Sequence, residues 1–411
     1  MLPVFISYKR KDQDEVREIA QVMLTGGIRL WQDINSLGTG FTAEQVCDAI
    51  WHKCSALLFY ATEESVKSEF IRGIELTEAS ERCRKNSDFA IVPIFKIPAK
   101  EADQALKDVI HGDISRNNGA IVDGSDGLRE AARQARRILL QKQLQHNTDQ
   151  KVTIAVSTYQ KTLANCNLIL DFDWSEIFPF ANLFTQETWD TFIRPSLLDV
   201  KNSILDTGRS SLRIIPKAHL TVGLAFGFIF KRVTGFSMTI HQLHPQNDQW
   251  WSTNDSEGDA SSLEITTVPN TVGSSHLAIE ISISRDIGNE LGILMKESGL
   301  DFGAILYCRI VPEPSNKAVP DGQIALTMVR KIADGVRNAI HKYRITDIHI
   351  LAAVPLALAF LIGAELNACG RIHLYEVMTT GIAGGLDKAL KGHSIHITPK
   401  GVFRTFSETD M

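Results

Sequence analysis

A chain of 411 residues, 44% hydrophobic and 22% charged, has the makeup of an ordinary globular protein and the length for two or three domains. Its 43 basic and 48 acidic residues leave a net charge of −5, which gives no sign of a basic surface for long nucleic acid but allows a local positive pocket for a small anion. Six cysteines (Cys47, Cys54, Cys83, Cys166, Cys308 and Cys369) show no CxxC pair and no histidine at metal-ligand spacing, so they read as reduced, buried small hydrophobes of a cytoplasmic protein.

The chain opens with a short apolar run, Pro3 to Tyr8, followed by Lys9-Arg10-Lys11, an order unlike that of a signal peptide. Strand-like and helix-like segments then alternate. Asp12 to Leu24 is amphipathic, Ile28 to Trp31 reads as a second strand, and Phe41 to Lys53 as a helix. Ala56 to Tyr60, Val66 to Arg82 and Phe89 to Phe95 continue the series. This is the pattern of an α/β sheet with helices on both faces. A last helix is expected over Gly127 to Leu144. The polar stretch Gln141 to Lys151 reads as a linker, which divides the chain into residues 1–146 and 147–411.

Beyond it come the strand Val152 to Val156, a Phe- and Trp-rich segment from Phe172 to Phe192, and the apolar stretches His219 to Phe230 and His276 to Ser284. A polar loop, Gln246 to Ser262, lies between those two stretches. The end runs helix (Gly322 to Tyr343), strand (Asp347 to Ala352), helix (Pro355 to Ala368), strand (Ile372 to Tyr375). The apolar run Ile350 to Ala364 falls short of the ~20 residues a bilayer needs and is divided by Pro355, so a buried strand feeding a buried helix is expected.

In the first eighty residues, Phe5-Ile6-Ser7-Tyr8, Trp31-Gln32-Asp33, Leu37-Gly38-Thr39-Gly40, Ser68-Glu69-Phe70 and Glu75-Leu76 follow one another in an order that resembles a TIR domain. The resemblance implies a flavodoxin-like α/β fold with a parallel sheet, and one of two roles: adhesion to other TIR domains, or cleavage of NAD at its nicotinamide bond by a helix-borne glutamate. Breaking that bond releases neutral nicotinamide and leaves positive charge on the ribose, which one carboxylate can stabilise or attack without a metal. NAD is then a substrate, and no cofactor is implied.

The family pattern points to Glu75 as the catalytic glutamate, although the commonest spacing would place it at Ile74. At ~100° per residue, Phe70, Ile71 and Ile74 share the core stripe, Glu75 flanks it in line with Ser68, Glu69 points away, and Glu78 competes with Glu75. By the same resemblance Phe5, Ser7, Lys9, Arg10, Trp31, Asp33 and Ser68 edge the NAD pocket, with Lys9 or Arg10 on the pyrophosphate and Asp33 on a ribose hydroxyl. Leu37 to Phe41 would form a mobile tip that docks on the next TIR domain. Gly38-Thr39-Gly40 lacks a third glycine and does not mark a dinucleotide fingerprint.

Further along, His219 to Gly227, Trp250-Trp251, Leu277 to Ser282, Ile348 to Ala359 and Ile372 to Glu376 resemble a SAVED domain. That family is a fused pair of CARF-like, Rossmann-type subdomains that senses cyclic oligonucleotides made by a partner nucleotidyltransferase in CBASS antiphage defence. The resemblance implies activation by a cyclic oligonucleotide such as cyclic triadenylate, self-association into filaments, and NAD hydrolysis to ADP-ribose or cyclic ADP-ribose. A helix starting at Pro355 would aim free N–H groups at a phosphate beyond the strand Ile348 to Ala352. Val354, Pro355 and Leu356 at that turn, Ser282, Ser284 and Arg285 beside it, and Trp250 or Trp251 as a stacking platform are the candidate ligand contacts. A non-enzymatic TIR scaffold that recruits a partner is the alternative.

Overall fold

The computed structural model describes residues 2–31, 42–124, 126–147, 149–159, 168–175, 188–243 and 248–375, together with short strands at 378–379, 395–396 and 403–405. It separates into two compact units. The first comprises Met1–Ala155, Ala164–Asp173 and Phe192–Arg209; the second comprises Val156–Leu163, Trp174–Thr191 and Ser210–Met411.

In the first unit, β1 (Val4–Ser7), α1 (Gln13–Thr25), α2 (Ala43–Asp48), β2 (Ala56–Ala61), α3 (Thr77–Lys85), β3 (Ile91–Phe95), α4 (Ala99–Leu106), β4 (Ala120–Ile121) and α5 (Gly127–His146) succeed one another. The strands pair in the order β1-β2-β3-β4, all parallel. Every residue of β1, β2 and β3 is buried, as a sheet covered on both faces requires.

The expected second strand is reduced to one parallel bridge. Val4 pairs with Leu30 on one edge and Ala56 on the other, with Trp31 N–H donating to Val4 C=O at 2.9 Å. That position makes the order flavodoxin-like. Helix α5 runs through His146, two residues past the expected Leu144 and six residues into the segment read as a linker.

Strands β5 (Lys151–Ser157) and β6 (Leu170–Asp173) and helix α6 (Arg194–Asp206) follow. Arg136 on α5 is 1% exposed, donates to Val22 C=O at 2.9 Å and Ser196 Oγ at 2.7 Å, and pairs with Asp199 on α6. Asp199 also accepts from Arg137 Nε at 2.9 Å. Removing either partner of such a buried pair strands the other charge, so α1, α5 and α6 are pinned to one another.

The second unit contains β7 (Ser211–Lys217), α7 (Leu220–Ile229), β8 (Ser237–Gln242), β9 (Gln249–Ser252), β10 (Leu263–Pro269), β11 (His276–Ser282), α8 (Gly288–Glu297), β12 (Ala304–Ile310), α9 (Gly322–Tyr343), β13 (Asp347–Ala353), α10 (Leu356–Glu365) and β14 (Arg371–Tyr375). Two-residue strands β15 (Met378–Thr379) and β16 (Ile395–His396) pair with each other, and β17 (Phe403–Thr405) closes the series. Strands β12-β11-β13-β14 form a parallel centre, flanked by antiparallel β10 and β17. Elsewhere in the unit β7 runs parallel to β8, and β8 antiparallel to β9.

The unit is internally duplicated. Strand, turn and predominantly apolar helix recur as β7–α7 and β13–α10, and nearly every residue of both helices is buried. A Cβ on Gly227 would lie 2.1 Å from Phe360 O and 2.9 Å from Ala364 N; one on Gly363 would lie 2.1 Å from Leu224 O and 2.9 Å from Phe228 N. Leu224, Gly227 and Phe228 of the first helix have their counterparts 136 positions later in Phe360, Gly363 and Ala364 of the second. The two helices therefore cross backbone to backbone about an approximate two-fold axis, an approach only glycine permits. This is the paired Rossmann-type architecture expected for residues after the linker.

Helix α10 stops at Glu365, short of the expected Ala368, which has left-handed φ at 52° just before Gly370 at 65°. As expected, the apolar run from Ile350 splits into the end of β13 and α10. Among the described residues no helix is long and apolar enough to cross a membrane.

Candidate active site and ligand-binding turn

Ser7 is the last residue of β1, so its side chain lies at the carboxyl edge of the parallel sheet, where α/β folds place their sites. Its Oγ donates to Glu75 Oε2 at 2.5 Å, joining residues 68 positions apart. Glu75 is 8% exposed. Burial pushes its carboxyl from the ordinary 4.5 up to about 7, and the Ser7 hydrogen bond opposes that rise only in part.

Glu75 sits in a π turn, Ile71–Leu76, that leads into α3. Thr77 Oγ1 donates to Arg72 C=O at 2.7 Å, satisfying a carbonyl within that turn. Arg72 is itself held by Ala105 C=O and Asp108 Oδ2, each at 2.8 Å. A π turn closes i to i+5 and so takes in one residue more than an α turn. It absorbs the single extra residue between Ser68 and Glu75, and the glutamate reaches the end of β1 despite its shifted spacing.

The same turn overturns part of the helical-wheel expectation. Ile71 is buried, but Phe70 is 41% exposed and does not belong to the core stripe. Glu69 is exposed, as expected. Glu78 is engaged elsewhere: its Oε2 accepts from Trp51 Nε1 at 2.6 Å, and Trp51 lies in a second π turn, Ala49–Lys53.

Around Glu75 the candidate residues separate by exposure. Lys9 Nζ reaches Ser68 Oγ at 3.5 Å, so these two share one edge of the site. Arg10 begins an exposed turn, Arg10–Asp12. Phe5 is fully buried and stacks on Trp31 with ring centroids 5.3 Å apart. Phe5 is thus closed to substrate and supports half-buried Trp31 from beneath. Asp33 and the tip Leu37 to Phe41 lie outside the described residues. Tyr8 was missed by sequence reasoning. Its hydroxyl is buried without a hydrogen-bond partner among the described residues, and its pKa is raised by burial with a smaller contribution from the Glu75 charge.

The strand-to-helix turn of the second unit brings several further candidates together. Ser282 pairs with Ala353 in the β11–β13 register, and Ser284 N–H donates to Ala353 C=O at 2.8 Å, so Ser284, Arg285, Val354, Pro355 and Leu356 share the carboxyl end of these strands. Ser282 is fully buried and its hydroxyl is committed: it donates to Glu280 Oε1 at 2.8 Å and accepts from Ile287 N–H at 3.2 Å. It is corrected from a phosphate donor to a buried support. Arg285 is exposed and pairs with Glu290.

Sequence reasoning also missed Glu280, wholly buried and held by Arg309 through two bonds of 2.7 Å, and Gln242. Helix α10 starts after Pro355, but its Ala357 N–H is occupied by Gln242 Oε1 at 3.0 Å, so that expected free donor is capped. The tryptophan pair resolves by alternation along β9. Trp251 is 1% exposed with Nε1 on Gln249 Oε1, and is corrected to core. Trp250 is 37% exposed, with Arg213 4.1 Å over its ring and His241 beside it, ring centroids 4.9 Å apart and planes tilted by 41°.

A family model of the TIR domain matches residues 4–131, and the model of the SMODS-associated and fused to various effectors sensor domain, SAVED, matches residues 197–385. The chain thus joins an N-terminal TIR domain to a C-terminal SAVED domain. No curated protein matches it. Among solved structures it is similar to the Acinetobacter baumannii Cap4 SAVED/CARF-domain containing receptor with the cyclic trinucleotide 3′3′3′-cAAA, at 14% identity and a TM-score of 0.47, covering 91% of this chain and 85% of that one. The Moraxella osloensis Cap4 receptor is similar at 13% identity and a TM-score of 0.42, covering 81% of this chain and 80% of that one.

Proposed function

We propose that this chain is an antiphage effector in which a cyclic oligonucleotide, bound by the SAVED unit, drives self-association and switches on NAD cleavage by the TIR domain. The observation that carries the reading is the Ser7–Glu75 pair, a buried carboxyl at the carboxyl edge of the sheet with a pKa near neutrality. Residues 1–146 supply the chemistry and residues 147–411 the sensor. A cytoplasmic setting, a CBASS nucleotidyltransferase as the source of the signal, and a cyclic trinucleotide such as cyclic triadenylate complete the proposal.

Cleavage breaks the bond between ribose C1′ and the pyridinium nitrogen. Its electron pair leaves with nicotinamide, and the ionised Glu75 carboxylate stabilises or captures the oxocarbenium-like ribose. Water then adds and gives up a proton, yielding ADP-ribose, or an adenine nitrogen closes the ring to cyclic ADP-ribose. Lys9, whose Nζ lies 3.5 Å from Ser68 Oγ, would meet the pyrophosphate. With a pKa near 7 and little exposure, Glu75 is only partly ionised at neutral pH in this conformation. Assembly that opens the site to water would lower that pKa and generate the anion, which couples ligand binding to chemistry.

The test is nicotinamide release by the purified chain with NAD, alone and with cyclic di- and trinucleotides, alongside electron microscopy of the same mixtures. Glu75→Gln is expected to abolish release and leave assembly intact, whereas Glu78→Gln keeps turnover. A cyclic nucleotide that binds without eliciting any release would refute the enzymatic reading.

A further inference from the structure

The first unit holds a cavity of about 480 Å3, a size typical of small-molecule sites. It opens beside Phe89 to Val92, where β3 begins. Because the sheet is parallel, this is the amino edge, opposite the carboxyl edge where β1 ends at Ser7 beside Glu75. It is therefore a different site from the one assigned to NAD.

Its charge is one-sided. Arg84 from α3, His111 and Arg116 from the connection after α4, and Lys142 from α5 line it, and no carboxylate does. Among the described residues Arg84 pairs with Glu81, three residues away, which also meets His111 Nε2 at 3.3 Å, and Arg116 pairs with Asp113, again three residues away. Such pairs contribute about 0–1 kcal/mol, so both guanidiniums can turn to a better anion. Lys142 has no ion-pair partner among the described residues. The thiol of Cys83, also in the wall, is raised to about 11 by burial and adds no negative charge. The floor is apolar, made by Phe89, Ile91 and Ile110, each at most 7% exposed, and Asn117 and Asn118 stand at the rim.

We propose that this cavity is a second ligand site of the first unit, binding a nucleoside phosphate: the cations take the phosphate, the apolar floor takes the flat base, and the two asparagines are available to its polar edge. The ligand class follows from the joint requirement. A bare phosphate leaves the floor and most of the volume empty, and an uncharged nucleoside leaves Lys142 unpaired and the two guanidiniums on their weak surface partners.

Equilibrium dialysis of the full chain against 5′-AMP, adenosine and inorganic phosphate tests this without relying on NAD cleavage. AMP is expected to bind more tightly than either fragment, and Lys142→Glu and Arg116→Glu are each expected to weaken it about tenfold. Arg84 and Arg116 are exposed and Lys142 is half-buried, so Arg84→Glu gives a further charge reversal with the fold retained. The proposal is overturned if AMP does not bind at millimolar concentration, if adenosine binds as tightly as AMP, or if AMP affinity is unchanged in the charge-reversed variants, which would place it in another site.

Discussion

Glu75→Gln should make the first unit more stable, and only above a defined pH. Glutamine keeps the shape of the side chain and its ability to accept from Ser7 Oγ, but removes the ionisable group. The carboxyl titrates at 4.5 when freely solvated and at about 7 in the fold. At about 1.4 kcal/mol for each tenfold change in proton affinity, the native protein forfeits about 3 kcal/mol once the group is ionised in both states. The sign is set by which state holds the proton more tightly. Here it is the native state, so stability falls as pH rises from 4.5 to about 7, and at lower pH both states are protonated and nothing is lost.

The variant escapes this fall. Calorimetry should therefore show the transition of the first unit about 5–10 °C higher in Glu75→Gln than in the parent near pH 8, with the difference closing near pH 4. Equal stabilisation at both pH values, or destabilisation near pH 8, would mean that the native carboxyl stays ionised throughout, and the burial argument would fail.

Ser7→Ala removes the one hydrogen bond that holds the Glu75 pKa down. The acid limb of the kcat/KM profile for nicotinamide release should move to higher pH, and an unmoved limb would show that another group sets it. Gly227→Ala drives a methyl group onto the Phe360 carbonyl and should destabilise the second unit by about 1–3 kcal/mol in urea unfolding, whereas Gly223→Ala meets mainly the Phe360 ring and should cost less. Trp250→Ala should weaken binding of the activating cyclic oligonucleotide by about 1–3 kcal/mol in calorimetric titration with stability unchanged. Trp251→Ala should instead cost about 3–5 kcal/mol of stability, since it empties a core position.

Most of the α/β alternation was legible because fully covered parallel strands read as continuous apolar runs, as β2 and β3 do. Pro355 marked the boundary between β13 and α10 closely, since proline starts a helix well. The π turn left no such mark. A wheel drawn at a constant pitch misplaced Phe70 and made the Glu75 spacing look anomalous, because the turn is held by contacts from Arg72 to residues more than thirty positions away. Ser282 read as available because its competitor, the Glu280–Arg309 pair, forms across the β11–β12 register. The choice between Trp250 and Trp251 was within reach, as adjacent residues on a strand face opposite sides.

The reciprocal contact of Gly227 with Gly363 bears on how the chain is made. Helix α7 is apolar on every side, and the helix that covers it is synthesised 136 residues later. At about 5–20 residues per second, a nascent chain carries α7 uncovered for roughly 7–27 seconds. During that interval it is a sticky segment exposed on the ribosome, and a premature stop anywhere between the two glycines would leave it so permanently. The sensor therefore matures all at once and late, and a truncated product cannot hold half of it in a folded state.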